Sequence, residues 1–268
     1  MEIRNPVFAD HFYPGDPTTL KSMIETFISQ AGAVPEDEIC GAVAPHAGYQ
    51  FSGGVAVLSH LAYKDEEFDR IMIIGPSHKS YFWEPRVDNR SHWRTPLGDS
   101  EIDQVAVDHL VSSGIVADSG VFDPEHSLEV QLPFIQVISP GTKIVPVIVG
   151  DQGFDSCKKL GDAISRLPGK TFVIASSDLY HGYSLDECRR IDNHTIETVL
   201  GLDPERFSQE LTAERAMACG GGPIVALLQH CRQAGVGSAK MLRYTNSNEV
   251  MGVSGGYCVG YVSIVFLR

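Results

Sequence analysis

Short apolar runs alternate with segments of helical periodicity along most of this 268-residue chain. Residues 39–44, 71–74 and 143–149 are almost entirely apolar, which is typical of strands that are buried on both faces of a sheet. Other segments have helical periodicity. In Pro17–Ile28, which precedes the first run, apolar residues share one helical face and Asp16 provides a cap. This alternation predicts an α/β fold in which helices flank a central sheet on both faces. Because no linker interrupts the pattern, we expect a single domain over residues 1–268.

The same patterns give expected bounds for the remaining elements. We expect an extended segment over residues 1–16 and a long irregular segment over residues 79–101. The irregular segment contains Tyr81, Phe82 and Trp83, so we interpret it as an ordered lid or an aromatic wall of a pocket. The predicted strands cover residues 39–45, 70–76, 143–149, 171–177, 240–245 and 257–266, and the predicted helices begin near residues 17, 52, 102, 125, 154, 185, 204 and 221.

Histidines follow the ends of three predicted strands. His46 and His78 each come shortly after a proline that ends an apolar run, and His181 follows the strand over residues 171–177. The carboxyl ends of strands in an open α/β sheet are where ligands bind, so we expect one shared site. Imidazole is the commonest metal ligand and a common acid or base near neutral pH. The other histidines outside this setting are interpreted as surface or packing residues: His11, His60, His92, His109, His194 and His230.

Two histidines and one carboxylate with open positions form the facial triad of non-haem Fe(II) oxygenases. The roles of two nearby residues stay open at this level. His126 and Glu129 would share one face of a helix, either in the site or as a surface contact or cap. Asp178 could orient His181 or cap the following turn. The candidate carboxylates are Glu125, Glu129, Asp178 and Glu249.

The composition argues against several classes of function. A formal net charge of −13 disfavours nucleic acid, which requires clustered lysine and arginine, and it disfavours anionic membrane surfaces. The chain has no stretch typical of a membrane span or a signal peptide. Six cysteines without a CxxC pair indicate reduced thiols, so we expect a cytoplasmic protein. Cys219 precedes a glycine run at a predicted helix start, and we interpret it as a buried structural thiol rather than a reactive one.

Five motifs in this order resemble the MEMO family, which includes the prokaryotic AmmeMemoRadiSam system protein B. They are PHAGYQFSG at 45–53, GPSH at 75–78, EHSLEVQLPF at 125–134, SSDLYH at 176–181 and ACGGGP at 218–223. The resemblance implies a fold similar to that of class III extradiol ring-cleaving dioxygenases, which use Fe(II). By motif, His46 and His78 match metal ligands, His181 matches an acid and base, and His126 matches a pocket histidine.

The third metal ligand is where this sequence departs from the family. The eukaryotic relative has a cysteine shortly after the strand that corresponds to residues 242–245, and this chain has none there. Glu249 is the nearest replacement and would complete a set of two histidines and a glutamate, although it could equally be a solvated carboxylate. The cofactor expected from the resemblance is Fe(II), with Cu and Zn as alternatives.

Three hypotheses for function follow from this resemblance. The first is a metal-dependent redox enzyme with His181, His126 and Asp178 as catalytic residues and a small molecule as substrate. The second is a binding module that takes a peptide in the histidine pocket, with Arg86, Arg90 and Arg94 as the cations nearby. The third is an accessory role beside AMMECR-type and radical SAM partner proteins, which rests on family association alone. None of the three involves nucleic acid or a membrane.

Overall fold

The computed structural model describes residues 2–35 and 37–268, so Met1 and Glu36 of the predicted ranges lie outside the described residues. The strands are β1 (Ile3–Arg4), β2 (Ile39–Ala44), β3 (Arg70–Pro76), β4 (Arg86–Val87), β5 (His92–Thr95), β6 (Gly98–Glu101), β7 (Val116–Ala117), β8 (Lys143–Val149), β9 (Thr171–Ser176), β10 (His181–Gly182), β11 (Ser238–Asn246) and β12 (Cys258–Leu267). The helices are α1 (Pro17–Gln30), α2 (Tyr49–Leu61), α3 (Gln104–Ser112), α4 (Leu132–Ile138), α5 (Phe154–Ser165), α6 (Leu185–Leu200), α7 (Pro204–Thr212), α8 (Gly221–Gln233) and α9 (Ser247–Met251), with 3₁₀ turns at Gly120–Phe122 and Glu129–Gln131.

Nine strands of the described chain form the central sheet. Their order is β10-β12-β2-β9-β3-β8-β4-β7, and β11 also pairs with β12. Strands β2, β9, β3 and β8 are mutually parallel, whereas β12 runs antiparallel to β2. The register places Ala44 beside Ser176 and Pro76 beside Val149, so these four strands end at one edge of the sheet. That edge is the one from which the sequence predicts a site.

Helices cover the sheet in two groups, as the sequence predicts. Helices α1, α2 and α4 pack together, and α2 lies against β2 and β12. Helices α5 and α8 form the second group, and α8 lies against β9, β3 and β2. The core strands are buried along their whole length, which explains why their sequences are continuously apolar rather than alternating. The predicted α/β sheet flanked by helices is confirmed.

The segment over residues 79–101 is irregular only in part, and this corrects the expectation of one long irregular segment. It contains β4 and the hairpin β5–β6, and β5 pairs with β1 to form a separate three-stranded sheet. Strand β5 is mostly polar and buries only alternate residues, Trp93 and Thr95, so its sequence resembles a loop. The segment supplies no aromatic wall of three residues either, because Tyr81 and Trp83 are 64% and 70% exposed while Phe82 is buried.

Two helix starts also differ from their predicted positions. Helix α2 begins at Tyr49 rather than at Ser52, which brings its first turn directly after the His46 turn. No α-helix starts over residues 125–129, because this segment forms turns until a 3₁₀ turn begins at Glu129 and leads into α4. Within the described residues, no helix combines the length and hydropathy that a membrane-spanning segment needs.

Candidate metal centre

The turns after β2 and β3 bring His46 and His78 together. Their ring centroids are 5.4 Å apart, and the rings meet edge to face. His46 is 2% exposed, whereas the side chain of His78 is 30% exposed. The pair therefore joins a buried imidazole to one that faces solvent.

The third group at this position is a thiol that the sequence analysis had placed in a structural role. The Sγ atom of Cys219 lies 3.2 Å from Nε2 of His46. One ligand atom from each of His46, His78 and Cys219 lies within 4.8 Å of the other two. Nitrogen and thiolate ligands in such a group are typical of transition-metal sites.

The start of α8 delivers Cys219 to the ends of the parallel strands. Its backbone N–H donates to the carbonyl oxygen of Asp178 at 3.1 Å, and the N–H of Asp178 donates to Sγ at 3.2 Å. A Cβ atom at Gly220 would lie 2.3 Å from the carbonyl oxygen of Ser176, so only glycine permits this close approach. Burial raises the pKa of the Cys219 thiol.

His46 is held from two sides. Its Nδ1 lies 3.0 Å from Oγ of Ser176, and its backbone N–H donates to Oδ1 of Asp178 at 2.8 Å. Burial lowers the pKa of His46 well below its ordinary value, so the ring is neutral near pH 7. With Nδ1 facing Ser176, Nε2 is the nitrogen that can bind a metal.

His78 is oriented by the carboxylate of Glu125. Nδ1 of His78 lies 2.9 Å from Oε1, and the backbone N–H of His78 donates to Oε2 at 2.7 Å. Burial alone would raise the pKa of Glu125, but the hydrogen bonds from His78 outweigh it and lower the pKa to about 2. An ionised carboxylate accepts from Nδ1–H, which leaves Nε2 of His78 for a metal.

His126 lies beside these ligands but belongs to a different group. Its ring stacks on His78 at 4.7 Å between centroids, and Phe12 packs against it at 4.5 Å. His126 forms a second cluster of potential ligands with His78 and Glu125. Because Nδ1 of His78 already pairs with Glu125, we interpret this cluster as support for His78. Burial lowers the pKa of His126 to about 4.

His181 approaches the same edge of the sheet from β10. Its Nδ1 lies 2.9 Å from the carbonyl oxygen of Leu179, and a carbonyl only accepts, so Nδ1 carries the proton. Nε2 of His181 therefore carries a lone pair. The pKa of His181 is lowered, chiefly by burial. Burial is the main cause of the lowered pKa of His46, and the charges of His126, His78 and His181 lower this pKa further.

Asp178 takes neither of the roles that the sequence left open. It does not orient His181 and does not cap the turn after it; its carboxylate accepts from the backbone N–H of His46 and of Ala47. Burial raises the pKa of Asp178 to about 7, against those two hydrogen bonds, which lower it. Asp178 thus shapes the turn that carries His46.

Glu249, which the sequence predicts as the third ligand, lies outside both groups of potential metal ligands in the described residues. Its carboxylate accepts from Arg189 at 2.9 Å and from Oγ1 of Thr245 at 3.1 Å, and its side chain is 38% exposed. The position follows from α9, whose first turn directs the carboxylate toward α6. Cys219 is the third member of the group that contains His46 and His78. The ACGGGP motif is the sequence signal for the position of Cys219, because a cysteine that precedes a glycine run can lie close to the end of a strand.

An aromatic wall beside His126 comes from the amino-terminal segment, which sequence reasoning missed. Phe8 and Phe12 pack against His126 with centroids at 5.6 Å and 4.5 Å. The buried carboxylate of Glu129 accepts from the backbone N–H of Val7 and Phe8 and from the hydroxyl of Tyr13. Glu129 therefore fixes the wall and is not a ligand in either cluster.

A buried arginine completes this attachment. Arg4 donates to Oε2 of Glu129 at 2.6 Å and to the carbonyl oxygens of Phe122 and Glu125. Its guanidinium also lies 4.3 Å from the ring centroid of Trp93. The same cation thus joins β1, the β5–β6 hairpin and the turn that contains Glu125.

Comparison with known proteins identifies the family of this chain. The family model described as "Memo-like protein" matches residues 4–265. The chain belongs to this family. MEMO1 family proteins from Methanosarcina mazei and Nitrosopumilus maritimus are 35% and 33% identical to it, over 99% of this chain and 99% and 100% of theirs. The family resemblance drawn from the five motifs is confirmed.

A solved structure supports the fold. An uncharacterized protein from Escherichia coli K12 superposes with a TM-score of 0.51 at 11% identity, covering 83% of this Memo-like chain and 99% of that protein. At this level of identity the likeness concerns the fold alone. The chemistry of the Memo-like chain therefore has to be argued from its own residues.

Proposed function

We propose that His46, His78 and Cys219 bind one transition-metal ion, and that the pocket catalyses a metal-dependent redox reaction of a small molecule. The observation that carries the proposal is the convergence of three ligand atoms within 4.8 Å of one another. The proposal replaces the glutamate of the facial triad with a thiol.

The residues present fit such an ion. The Nδ1 atoms of both histidines pair with groups of the protein, Ser176 and Glu125, so each ring presents Nε2. Metal-ligating histidines almost always use their other nitrogen in this way, because it fixes the orientation of the ring. Exposure of the His78 side chain provides a route by which an ion can enter.

The ligand set changes the expected metal. Two histidines and a carboxylate favour non-haem Fe(II), whereas a thiolate favours softer ions such as Cu(I) and Zn(II). Fe(II) remains the expectation from the dioxygenase-like fold, and we rank Cu(I) and Zn(II) beside it on ligand chemistry. When bound, the ion would supply a Lewis-acid centre and, for Fe or Cu, a redox centre.

Residues around the ligands have distinct roles in this proposal. Nε2 of His181 carries a lone pair and accepts a proton from the substrate, then returns it. His126, backed by Phe8 and Phe12, forms an apolar wall that limits access of water. Asp178 acts through the backbone of the His46 turn rather than on the substrate.

Metal binding by the isolated protein tests the proposal. We would titrate the metal-free protein anaerobically with Fe(II), Zn(II) and Cu(I), using calorimetry for the divalent ions and a competing chelator for Cu(I). His46→Ala, His78→Ala and Cys219→Ala should each lose binding of the preferred ion. Glu249→Ala is the matched control and should bind as the wild type does, because its carboxylate pairs with Arg189.

Two outcomes would contradict the proposal. If the wild type binds none of the three ions, the pocket is not a metal centre. If Glu249→Ala loses binding while Cys219→Ala keeps it, the third ligand is the carboxylate. Turnover is tested separately with His181→Ala, which should retain the metal and lose activity; unchanged activity would remove His181 from the mechanism.

The cations near the pocket give little support to the alternative function of phosphopeptide binding. Arg90 pairs with Asp88 and Asp123, and Arg94 pairs with Asp99. A phosphate would have to displace these carboxylates. An association with AMMECR-type or radical SAM proteins remains a prediction from the family resemblance.

A further inference from the structure

A buried hydrogen-bond network connects the proposed metal ligand His46 to the interior of the protein. Ser176, Gln131 and His60 are its middle members, and each is 0% exposed. Nε2 of Gln131 lies 2.8 Å from Oγ of Ser176, and Oε1 of Gln131 lies 2.8 Å from Nε2 of His60. Nδ1 of His60 lies 2.7 Å from the hydroxyl of Tyr63. The network crosses from the turn after β2, through the 3₁₀ turn before α4, to α2.

A backbone carbonyl fixes the direction of the hydrogen bonds at Ser176. Oγ of Ser176 lies 2.6 Å from the carbonyl oxygen of Ser127, which can only accept. The single hydroxyl proton of Ser176 is therefore committed to Ser127. Oγ of Ser176 must therefore be the acceptor in its other hydrogen bonds. One of these joins it to Nδ1 of His46 at 3.0 Å. The proton of His46 must then lie on Nδ1.

A second carbonyl fixes the direction at Gln131. Nε2 of this side chain lies 3.0 Å from the carbonyl oxygen of Pro45, so the amide nitrogen must face Pro45 and Ser176. Oε1 is then directed at His60 and accepts from Nε2–H. Nδ1 of His60 accepts from Tyr63, which satisfies both nitrogens of that ring. Reversal of any one bond would place two donors or two acceptors in contact without solvent, which is costly in a buried site.

We propose that Ser176 and Gln131 are positioning residues that hold His46 in the tautomer protonated on Nδ1, with its lone pair on Nε2 directed at Cys219. Oγ of Ser176 accepts a hydrogen bond from the protonated Nδ1 of His46. Gln131 keeps Ser176 in that role and holds the carbonyl of Pro45, the residue before His46. The effect of this tautomer on metal binding rests on the proposed function, whereas the assignment of the tautomer does not depend on it.

The tautomer decides whether His46 can act as a ligand. A neutral imidazole carries one proton, and only the nitrogen without it can bind a metal. If the proton were on Nε2, it would point at Sγ of Cys219, 3.2 Å away, and no lone pair would face the ion. The network thus selects the form of His46 that is ready to bind before any ion arrives.

Nitrogen NMR of metal-free protein with ¹⁵N-labelled histidine tests the proposal directly. In the wild type, Nδ1 of His46 should give the shift of a protonated nitrogen and Nε2 that of an unprotonated nitrogen. In Ser176→Ala the acceptor is lost, so His46 should shift toward the tautomer protonated on Nε2. Gln131→Met should shift the tautomer of His46 only partly, because Ser176 loses the hydrogen bond from Gln131 but keeps its other contacts.

Two matched controls separate this role from general damage to the core. Ser59→Ala removes another buried serine, whose hydroxyl donates to the carbonyl of Val43. Gln229→Met removes another buried glutamine, which donates to Asp162. Both controls should leave the nitrogen shifts of His46 unchanged, even if they lower stability.

The outcomes are distinguishable from those of the proposed function. Wild-type protein with His46 protonated on Nε2 overturns the inference without any variant, and so does an unchanged tautomer in Ser176→Ala. If the tautomer shifts as expected, the affinity for Zn(II) should fall by about 10- to 100-fold in Ser176→Ala. If the wild type binds no metal, the proposed function fails while the tautomer result still stands.

Discussion

His46 and His60 are both members of one buried network, and they show how a histidine that is proposed to bind a metal differs from a structural histidine. Both rings are almost completely buried, and both lose basicity for that reason. Both nitrogens of His60 are satisfied inside the protein, by Tyr63 and Gln131. Only Nδ1 of His46 is satisfied in this way, and its Nε2 meets a thiol. His46 therefore differs from His60 in that one of its ring nitrogens remains available to bind a ligand.

The largest expected effect comes from exchanging each histidine for leucine. His46→Leu should lower metal affinity by more than the roughly 100-fold that loss of an outer hydrogen bond costs. Its effect on stability should be small, because Ser176 keeps Gln131 and Ser127 as partners. His60→Leu leaves the hydroxyl of Tyr63 and Oε1 of Gln131 unpaired, so it should lower the free energy of unfolding by about 1–3 kcal/mol.

Denaturant unfolding and metal titration of the two variants check this pair of predictions. The comparison fails if His60→Leu abolishes metal binding while His46→Leu retains it. It also fails if both variants lose stability equally and bind metal equally.

A second prediction concerns the pH dependence of stability. Burial lowers the pKa of His60 from 6.5 to about 4. Between these values the unfolded chain binds more protons than the folded protein, so stability falls as the pH falls from 6.5 toward 4 and then stops changing on this account. The contribution of His60 should reach about 3 kcal/mol.

Unfolding free energies measured across this pH range in the wild type and in His60→Leu isolate the contribution. The variant should lose less stability on acidification than the wild type does. Parallel curves would mean that His60 is protonated in the folded protein or is not buried as described.

The smallest expected effect is on the second histidine of the site. Glu125→Gln keeps the shape of the carboxylate but removes its charge, which weakens the hold on Nδ1 of His78. Metal affinity should fall by about 10-fold, near the lower end of what such partners contribute. Calorimetric titration of the variant checks this value, and an unchanged affinity would show that the ring of His78 needs no charged partner.

Local patterns were sufficient to predict the core strands and the proximity of His46 and His78. Strand β3 occupies the residues predicted for it, because a strand buried on both faces must be apolar throughout. His46 and His78 could be paired from sequence, since parallel strands end at one edge of a sheet.

The remaining features depend on contacts that sequence spacing does not report. Cys219 reaches His46 across 173 positions of sequence, through the close approach of Gly220 to Ser176. Glu249 was chosen for its place after a strand, yet the first turn of α9 directs it to Arg189. The hairpin β5–β6 was missed because its residues are mostly polar, and only its packing against β1 shows that it is a strand pair.

The attachment of the amino-terminal segment has a consequence for the order in which the protein can form during synthesis. Arg4 and Glu129 are separated by 125 positions. At about 5–20 residues per second, the ribosome needs roughly 6 to 25 seconds to produce the carboxylate after the arginine. During this interval Phe8 and Phe12 cannot take their final place, because Glu129 fixes them. The residues of this wall are therefore synthesised first but reach their final positions late.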